Sequence, residues 1–482
     1  MSSKSVKAIG FSFIGNFVKI FGEFILSIIL AKILLPEDFG VFSIVLTIIA
    51  VLQIFIDGGL TNALIREQEV SQEDLSTVFI YNIIVSILLY VILFFSANFL
   101  SNFFEEPKLL NIIRVLGISL IVCSLSAVQK VTLVKKLLFK YEAKVATIAT
   151  IVSILFTVVF AYNGFGVWSL VLKNIIYNFV AAIFYILYGK WKPTLTFSIK
   201  SFKKFFSYGW KMLLTGLLSA VYSNLSNVVI AKFYDTGILG FYSKSLQLRD
   251  VVSGLLVNPV NSVGLPMLSN VRSNKSLYQK NFMNLLRFSS YVSFPINVGL
   301  AAIAEPLVLL LYGEKWIQMV SYYQILCLAA VTYPHRLLNL SLLQVEGRSD
   351  LFLKLDIFKM CVGFSLIFLT IKLGFGIYGL VWTNVIMTVL AFAVNSLYAG
   401  KFVGYSTGKQ FRDMLPIALI SFCMYMLVKL VGNFTNFNVI INIIIQVLVG
   451  ATFYILTSLI LKLKEFELIR SYIKLKSKEK NV

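Results

Sequence analysis

Apolar blocks long enough to cross a lipid bilayer recur from one end of this chain to the other, and no other feature limits its fold so much. Ile25–Leu35, Val41–Ile56, Ile83–Phe95 and Val439–Leu461 are representative. The hydrocarbon core is about 30 Å thick and an α-helix rises about 1.5 Å per residue, so a span takes about 20 mainly apolar residues. Of the 482 residues, 58% are hydrophobic and only 13% charged, where a soluble domain carries roughly 25% charged residues. Span plus connection fits about 14 times into this length and leaves nothing for a separate domain. The spans read as Ala8–Leu35, Gly40–Ile65, Thr77–Ser101, Leu109–Val134, Val145–Tyr162, Val167–Gly189, Ser207–Phe233, Ile238–Ser262, Asn284–Leu311, Gln318–Leu343, Lys354–Leu373, Ile377–Gly400, Arg412–Gly432 and Val439–Leu461. The expected fold class is therefore an all-α polytopic membrane protein.

The formal net charge of +21 raises the question of nucleic acid, and its placement answers it. Basic residues concentrate in alternate connections: Lys135, Lys136, Lys140 and Lys144; Lys190, Lys192, Lys200, Lys203 and Lys204; Arg272, Lys275 and Lys280; Lys401 and Lys409; and the lysine-rich tail. The intervening connections hold little more than Lys108, Lys232, Lys315 and Lys372. By the positive-inside rule both termini lie in the cytoplasm, and the excess charge is a topology signal that also attracts anionic headgroups. No nucleic-acid partner is expected. Cys123, Cys327, Cys361 and Cys423 are scattered within apolar spans and read as packing residues, with no disulfide framework or metal site. The first apolar segment is too long for a cleavable leader and reads as an uncleaved span.

An internal repeat organises the spans. Ala31–Ser43 reads AKILLPEDFGVFS, and Ala231–Ser243 reads AKFYDTGILGFYS. Ala31, Lys32, Gly40 and Ser43 recur as Ala231, Lys232, Gly240 and Ser243. Gly164-Phe165-Gly166-Val167-Trp168 likewise recurs as Gly374-Phe375-Gly376-Ile377-Tyr378, with Asn174 matching Asn384. Each copy holds six spans, so both enter the membrane in the same direction and are related by a pseudo-twofold axis along the membrane normal. The expected organisation is a six-helix lobe over 1–189 and a basic amphipathic cytoplasmic linker over 190–206. A second six-helix lobe over 207–400, two added spans over 401–462 and a basic tail over 463–482 follow.

Charges in hydrocarbon cost about 3 kcal/mol or more at a helix centre, so each one needs a reason. Asn16, Lys19 and Glu23 share one face of the first span, and the corresponding face of the seventh holds Ser219, Ser223, Asn224, Ser226 and Asn227. Faces of this kind are expected to line a cavity between the lobes, although an internal Lys19–Glu23 pair would serve packing alone. Asp57 precedes Gly58-Gly59 at the end of the second span and is either a coupling carboxylate or a helix-end residue. Arg249 and Asp250 are adjacent in the eighth span and are expected to point apart, one to the cavity and one to a neighbouring helix. Lys173 lies near the outer end of the sixth span, in snorkelling range. His335 and Arg336 follow Pro334, where a hydrogen-bonded structural role for the histidine is preferred over proton sensing. The sequence offers no metal-ligand cluster, phosphate-cradling loop or nucleophile–base set.

Several stretches resemble a known family. They are LLPEDFG at Leu34–Gly40, FIDGGLTNALIRE at Phe55–Glu67, SQEDLSTVFIYN at Ser71–Asn82, GFYSKSLQLRD at Gly240–Asp250 and AEPLVLLLYGEKW at Ala304–Trp316. In order and spacing they are similar to Wzx-type polysaccharide flippases, nearest the WzxC-like kind. These form the polysaccharide transport branch of the multidrug/oligosaccharidyl-lipid/polysaccharide exporter superfamily. The resemblance implies translocation of undecaprenyl-pyrophosphate-linked oligosaccharide across the bacterial cytoplasmic membrane by alternating access, for O-antigen, capsule or exopolysaccharide synthesis. The implied partners are the lipid-linked oligosaccharide, membrane lipids, and a polymerase with its chain-length machinery, and the implied state is a monomer. Asn16, Lys19, Lys173, Arg249 and Arg336 are then the candidates for pyrophosphate and sugar. Glu23, Asp57 and Asp250 are the candidates for coupling to Na+ or H+, and no other cofactor is expected. Two rivals stand beside this reading. A drug/cation antiporter of the same superfamily would favour an acidic cavity. A membrane polymerase or glycosyltransferase would carry a large outer domain, whereas Pro36–Phe39, Asn102–Lys108, Asn163–Gly166, Tyr234–Gly237 and Tyr312–Ile317 are short connections.

Overall fold

The computed structural model describes residues 20–434 and 437–467, and within them the chain is made of helices and turns without a strand. Residues 20–33 form α1, followed by α2 (Pro36–Asp57), α3 (Leu60–Arg66), α4 (Gln72–Phe103), α5 (Leu109–Lys135), α6 (Phe139–Tyr162), α7 (Val167–Gly189), α8 (Ile199–Phe233) and α9 (Thr236–Asn270). Then come α10 (Lys275–Ala302), α11 (Ala304–Leu311), a 3-10 turn (Glu314–Trp316), α12 (Met319–Val331), α13 (Tyr333–Val345), α14 (Ser349–Lys372), α15 (Gly376–Val403), α16 (Thr407–Phe434) and α17 (Val439–Ile460). Two compact units divide the chain, Met1–Ser243 and Lys244–Val482, and the division falls inside α9.

Among the described residues, every expected span coincides with a helix or with a pair of consecutive helices, the first from residue 20 only. Among the described residues, ten helices are long and apolar enough to cross a membrane on their own, α12 and α13 counting together. The pair α10 and α11, bent by 71° at Ile303, makes eleven. The expected fourteen is reached only by adding three elements outside that test: α1, of which 20–33 are described, and the charge-bearing helices α9 and α14. Large apolar side chains face outward along the spans; Phe95 is 77% exposed and Phe99 68%. Contiguous faces of this kind would aggregate in water and are solvated by acyl chains in a bilayer.

Local chemistry sets the helix ends. Pro36 opens α2, where its missing N–H costs nothing, and the Leu35 amide donates to Asp38 Oδ2 at 3.1 Å. At the start of α4, Ser71 and Asp74 exchange two hydrogen bonds of 3.1 Å in a reciprocal cap. Lys135 donates to the carbonyls of Leu64 and Glu67 and closes the end of α3. The repeated motifs take the same form in both copies: helix to residue 33 or 233, a break, and helix again from 36 or 236. The turns before α7 and α15 each carry two left-handed glycines, Gly164 and Gly166 in one copy, Gly374 and Gly376 in the other.

In the first unit α4, α5 and α7 pack in succession, α6 lies on α7, and α2 touches both α5 and α8. In the second, α10 packs on α12 and α16, α15 on α12 and α13, and α17 on α11 and α16. The two added C-terminal helices share a core with α10 and α15 through Phe294, Phe392, Ile417, Met424 and Tyr454.

Candidate functional site

In the first unit α2 and α8 run antiparallel, and small residues set how closely they approach. At one end Gly58 and Gly59 hold φ of +50° and +68°, a conformation that only glycine adopts freely. A Cβ on Gly59 would stand 2.2 Å from the Gly209 carbonyl oxygen, and one on Gly209 would stand 2.7 Å from that of Gly58. In the middle, the Thr47 hydroxyl donates to Asn224 Oδ1 and accepts from Asn227 Nδ2, both at 3.4 Å. The polar face expected on the seventh span thus meets a threonine of the second. At the other end the neighbour is the first turn of α9: a Cβ on Gly40 would overlap the Thr236 carbonyl oxygen, and one on Gly240 that of Pro36.

The segment joining α7 to α8 is tied down at the Gly59 end. Trp191 Nε1 donates to Gln72 Oε1 (2.6 Å), and Gln72 Nε2 donates to the Lys192 carbonyl (2.7 Å). The Thr194 amide donates to Ser76 Oγ (3.2 Å) and the Ser198 amide to Thr77 Oγ1 (3.0 Å). Lys204 pairs with Glu67 at 3.0 Å, and Arg66 lies over the Tyr208 ring. The amphipathic stretch expected over 190–206 is therefore an extended strap on α4 followed by the first turns of α8, which begins at Ile199 rather than near Ser207.

The candidate residues of the first unit lie on different helices. Asn16 and Lys19 fall outside the described residues. Glu23 is half-buried on α1, and Lys173 half-buried on α7. Asp57 ends α2, which packs on α5, and among the described residues Lys130 of α5 acts on its charge. Outside the spans, a hydrogen bond from Lys232 (2.8 Å) holds the Glu105 carboxyl below the usual carboxylate range.

The second unit corrects one expectation. Arg249 and Asp250 do not point apart: Nη2 and Nε of the arginine reach Asp250 Oδ1 at 2.7 and 2.9 Å. The long guanidinium arm bends back to its neighbour, so one residue neutralises the other. Arg336 lies 4.6 Å from the Tyr333 ring centroid, and its carbonyl accepts from Asn395 Nδ2 at 3.2 Å. Asn395 Oδ1 in turn accepts from Lys359 Nζ (3.3 Å), which pairs with Asp356 at 2.6 Å. This second ion pair was missed, though two opposite charges three residues apart in an apolar span were a readable signal. Lys244, 3% exposed near the start of α9, was also missed; it donates to Gln247 and faces the Tyr312 ring. His335 is fully buried, bonded through Nε2 to Ser290 Oγ (2.7 Å) and placed edge-on to Phe294 and Phe392. Its surroundings are those of a packing residue.

The arrangement is a set of cations held inside apolar helices, some neutralised by a neighbour and others, Arg336 among them, placed over a ring. A profile described as polysaccharide biosynthesis protein matches residues 29–321. The chain belongs to that family. It is 23% identical to the teichuronic acid biosynthesis protein TuaB of Bacillus subtilis (strain 168), over 88% of this chain and 87% of that protein. It is 25% identical to the lipopolysaccharide biosynthesis protein WzxC of Escherichia coli (strain K12), over 69% and 68%. Among solved structures, the lipid II flippase MurJ in an inward closed conformation superposes with a TM-score of 0.78 at 19% identity, covering 94% of this chain and 99% of that one. An inward-facing multidrug resistance MATE family transporter of the MOP superfamily gives 0.60 at 14% identity, covering 82% and 100%. The fold is the one these transporters share.

Proposed function

We propose that the chain is a flippase that carries undecaprenyl-pyrophosphate-linked oligosaccharide from the cytoplasmic to the outer leaflet for surface polysaccharide synthesis. The observation that carries this reading is the family match over 29–321 combined with a lipid II flippase fold over nearly the whole length. The chemistry supports it. A pyrophosphate crossing a bilayer must be met by cations, since an unpaired charge in low dielectric costs several kcal/mol.

Arg336 leads the candidates for that contact, because a cation stacked on an aromatic ring can still turn its N–H groups to an anion. Asn16, Lys19 and Lys173 extend the same role to the first lobe. Arg249 joins only by giving up Asp250, which with Glu23 and Asp57 would carry coupling to Na+ or H+. Transport by alternating access uses two six-helix lobes, 1–189 and 207–400, in a monomer of the cytoplasmic membrane with both termini inside; the break outside lies at 34–35, and the expected Pro36–Phe39 connection is the first turn of α2. A polymerase takes over the product.

The test is the sidedness of lipid-linked oligosaccharide in cells lacking the protein, with and without its re-expression. Accumulation on the cytoplasmic leaflet, reversed by re-expression, is expected. Normal sidedness with normal surface polysaccharide would remove the reading and turn attention to drug and cation efflux. In the same assay Arg336→Ala should cut translocation about tenfold or more, as loss of a charge-assisted contact of 1.5–3 kcal/mol does.

A further inference from the structure

The contact between Gly40 and Gly240 has a symmetry that ordinary helix packing lacks. These two residues are equivalent in the internal repeat, 200 positions apart. Gly40 faces the carbonyl of Thr236, and Gly240 faces the carbonyl of Pro36. Pro36 and Thr236 are themselves equivalent at the same offset, each opening its helix four residues before the glycine. Glu37 and Gly237 complete the set: a Cβ on Gly237 would lie 3.2 Å from Glu37 Oε1. The two copies of the repeat therefore meet at corresponding residues, first turn of α2 against first turn of α9.

Three properties mark this contact as one made for parting. It is tight, because a Cβ at either glycine would overlap a backbone oxygen, which cannot give way as a side chain can. The approach places Cα–H groups against carbonyl oxygens, an attraction of second order beside a hydrogen bond. And the contact can open without orphaning either carbonyl, because each sits where its helix supplies a donor four residues on, the amide of Gly40 or Gly240 itself. We propose that Gly40 and Gly240 are the two halves of one latch, which closes the outer ends of the repeat copies in this conformation and separates once per transport cycle. The proposal rests on the flippase reading for its transport consequence but not for its geometry.

The same protein can be tested closed and unlocked. Gly237 admits a side chain, since the atoms nearest its Cβ position are the carboxylates of Asp235 and Glu37 rather than backbone. In the Glu37→Cys, Gly237→Cys double variant, a short thiol crosslinker with a cleavable disulfide should join the two thiols, stop translocation at least tenfold and release it on reduction. Full translocation by the crosslinked protein would overturn the latch while leaving the flippase reading intact. Independently of any substrate, a Thr47→Cys reporter in isolated membranes should react faster with a membrane-impermeant maleimide when Gly40→Ala or Gly240→Ala is added. The expected rise is about ten- to a hundredfold, the shift that ordinary overpacking gives. The linked variant should protect the same thiol. Gly408→Ala, which meets no atom within 4 Å, is the control and should leave the rate unchanged. Equal labelling in all four backgrounds would show a static contact and remove the proposal, whatever the protein transports.

Discussion

Both ends of α2 are closely approached, by α8 beside Gly59 and by the first turn of α9 at Gly40, and the two approaches are differently made. At the Gly59 end backbone meets backbone, and around that contact the strap, the Lys204–Glu67 pair and the Arg66–Tyr208 stack bind α8 to the helices beside it. At the Gly40 end backbone also meets backbone, Gly40 against the Thr236 carbonyl and Gly240 against that of Pro36. One end adds a strap and an ion pair to its close fit; the other is built on two glycines seated against two carbonyls. On the latch proposal, the Gly59 end is the pivot and the Gly40 end the tip that parts.

The strongest way to break that contrast is to put the same insult at each end. Gly59→Ala adds a Cβ at φ +68° and against a backbone oxygen. We expect it to abolish monodisperse protein on size exclusion, a cost above about 3 kcal/mol. Gly40→Ala meets an even shorter distance, 1.7 Å against 2.2 Å, yet should leave the melting temperature less affected, because the outer end can part to relieve it. Equal loss of folded protein at both ends would erase the distinction. Next in size is Trp191→Ala, which removes the donor to Gln72 and the edge contact with Phe79. It should cost about 2 kcal/mol and speed amide exchange over 199–206 without touching exchange near residue 236. Thr47→Val, at the midpoint, should cost about 0.6 kcal/mol, the usual worth of a hydrogen bond between spans. Lys204→Ala should cost under about 1 kcal/mol and vanish in high salt, as exposed ion pairs do.

Features that depend on neighbours in sequence were readable before the structure, and features that depend on neighbours in space were not. Val167–Gly189 runs as one helix because Gly166 and Gly189 bound a mainly apolar stretch with no proline or internal glycine, and both limits stand in the sequence. The cap at Asp38 and the paired GFG turns were legible for the same reason. The role of Gly59 was not, because its partner Gly209 lies 150 residues away and glycine spacing does not reveal which helix approaches. Lys130 was overlooked beside Asp57 since only the packing of α2 on α5 brings them together. Arg249 and Asp250 were misread for another cause: adjacent residues leave a helix in different directions at Cβ, but the length of an arginine lets it return. Lys359 and Asp356 were visible at helical spacing and were simply not weighed.

The reciprocity at Pro36, Gly40, Thr236 and Gly240 has a further consequence. A contact in which one residue meets a second, and the equivalent of the second meets the equivalent of the first, is the isologous interface of a twofold dimer. A half-length chain pairing with its own copy would need a single glycine to build both sides. Fusion of the halves releases that economy: each side now mutates alone, as proline against threonine at 36 and 236 and glutamate against glycine at 37 and 237 already show. The tandem chain can thus acquire an asymmetric entrance, which a true dimer cannot.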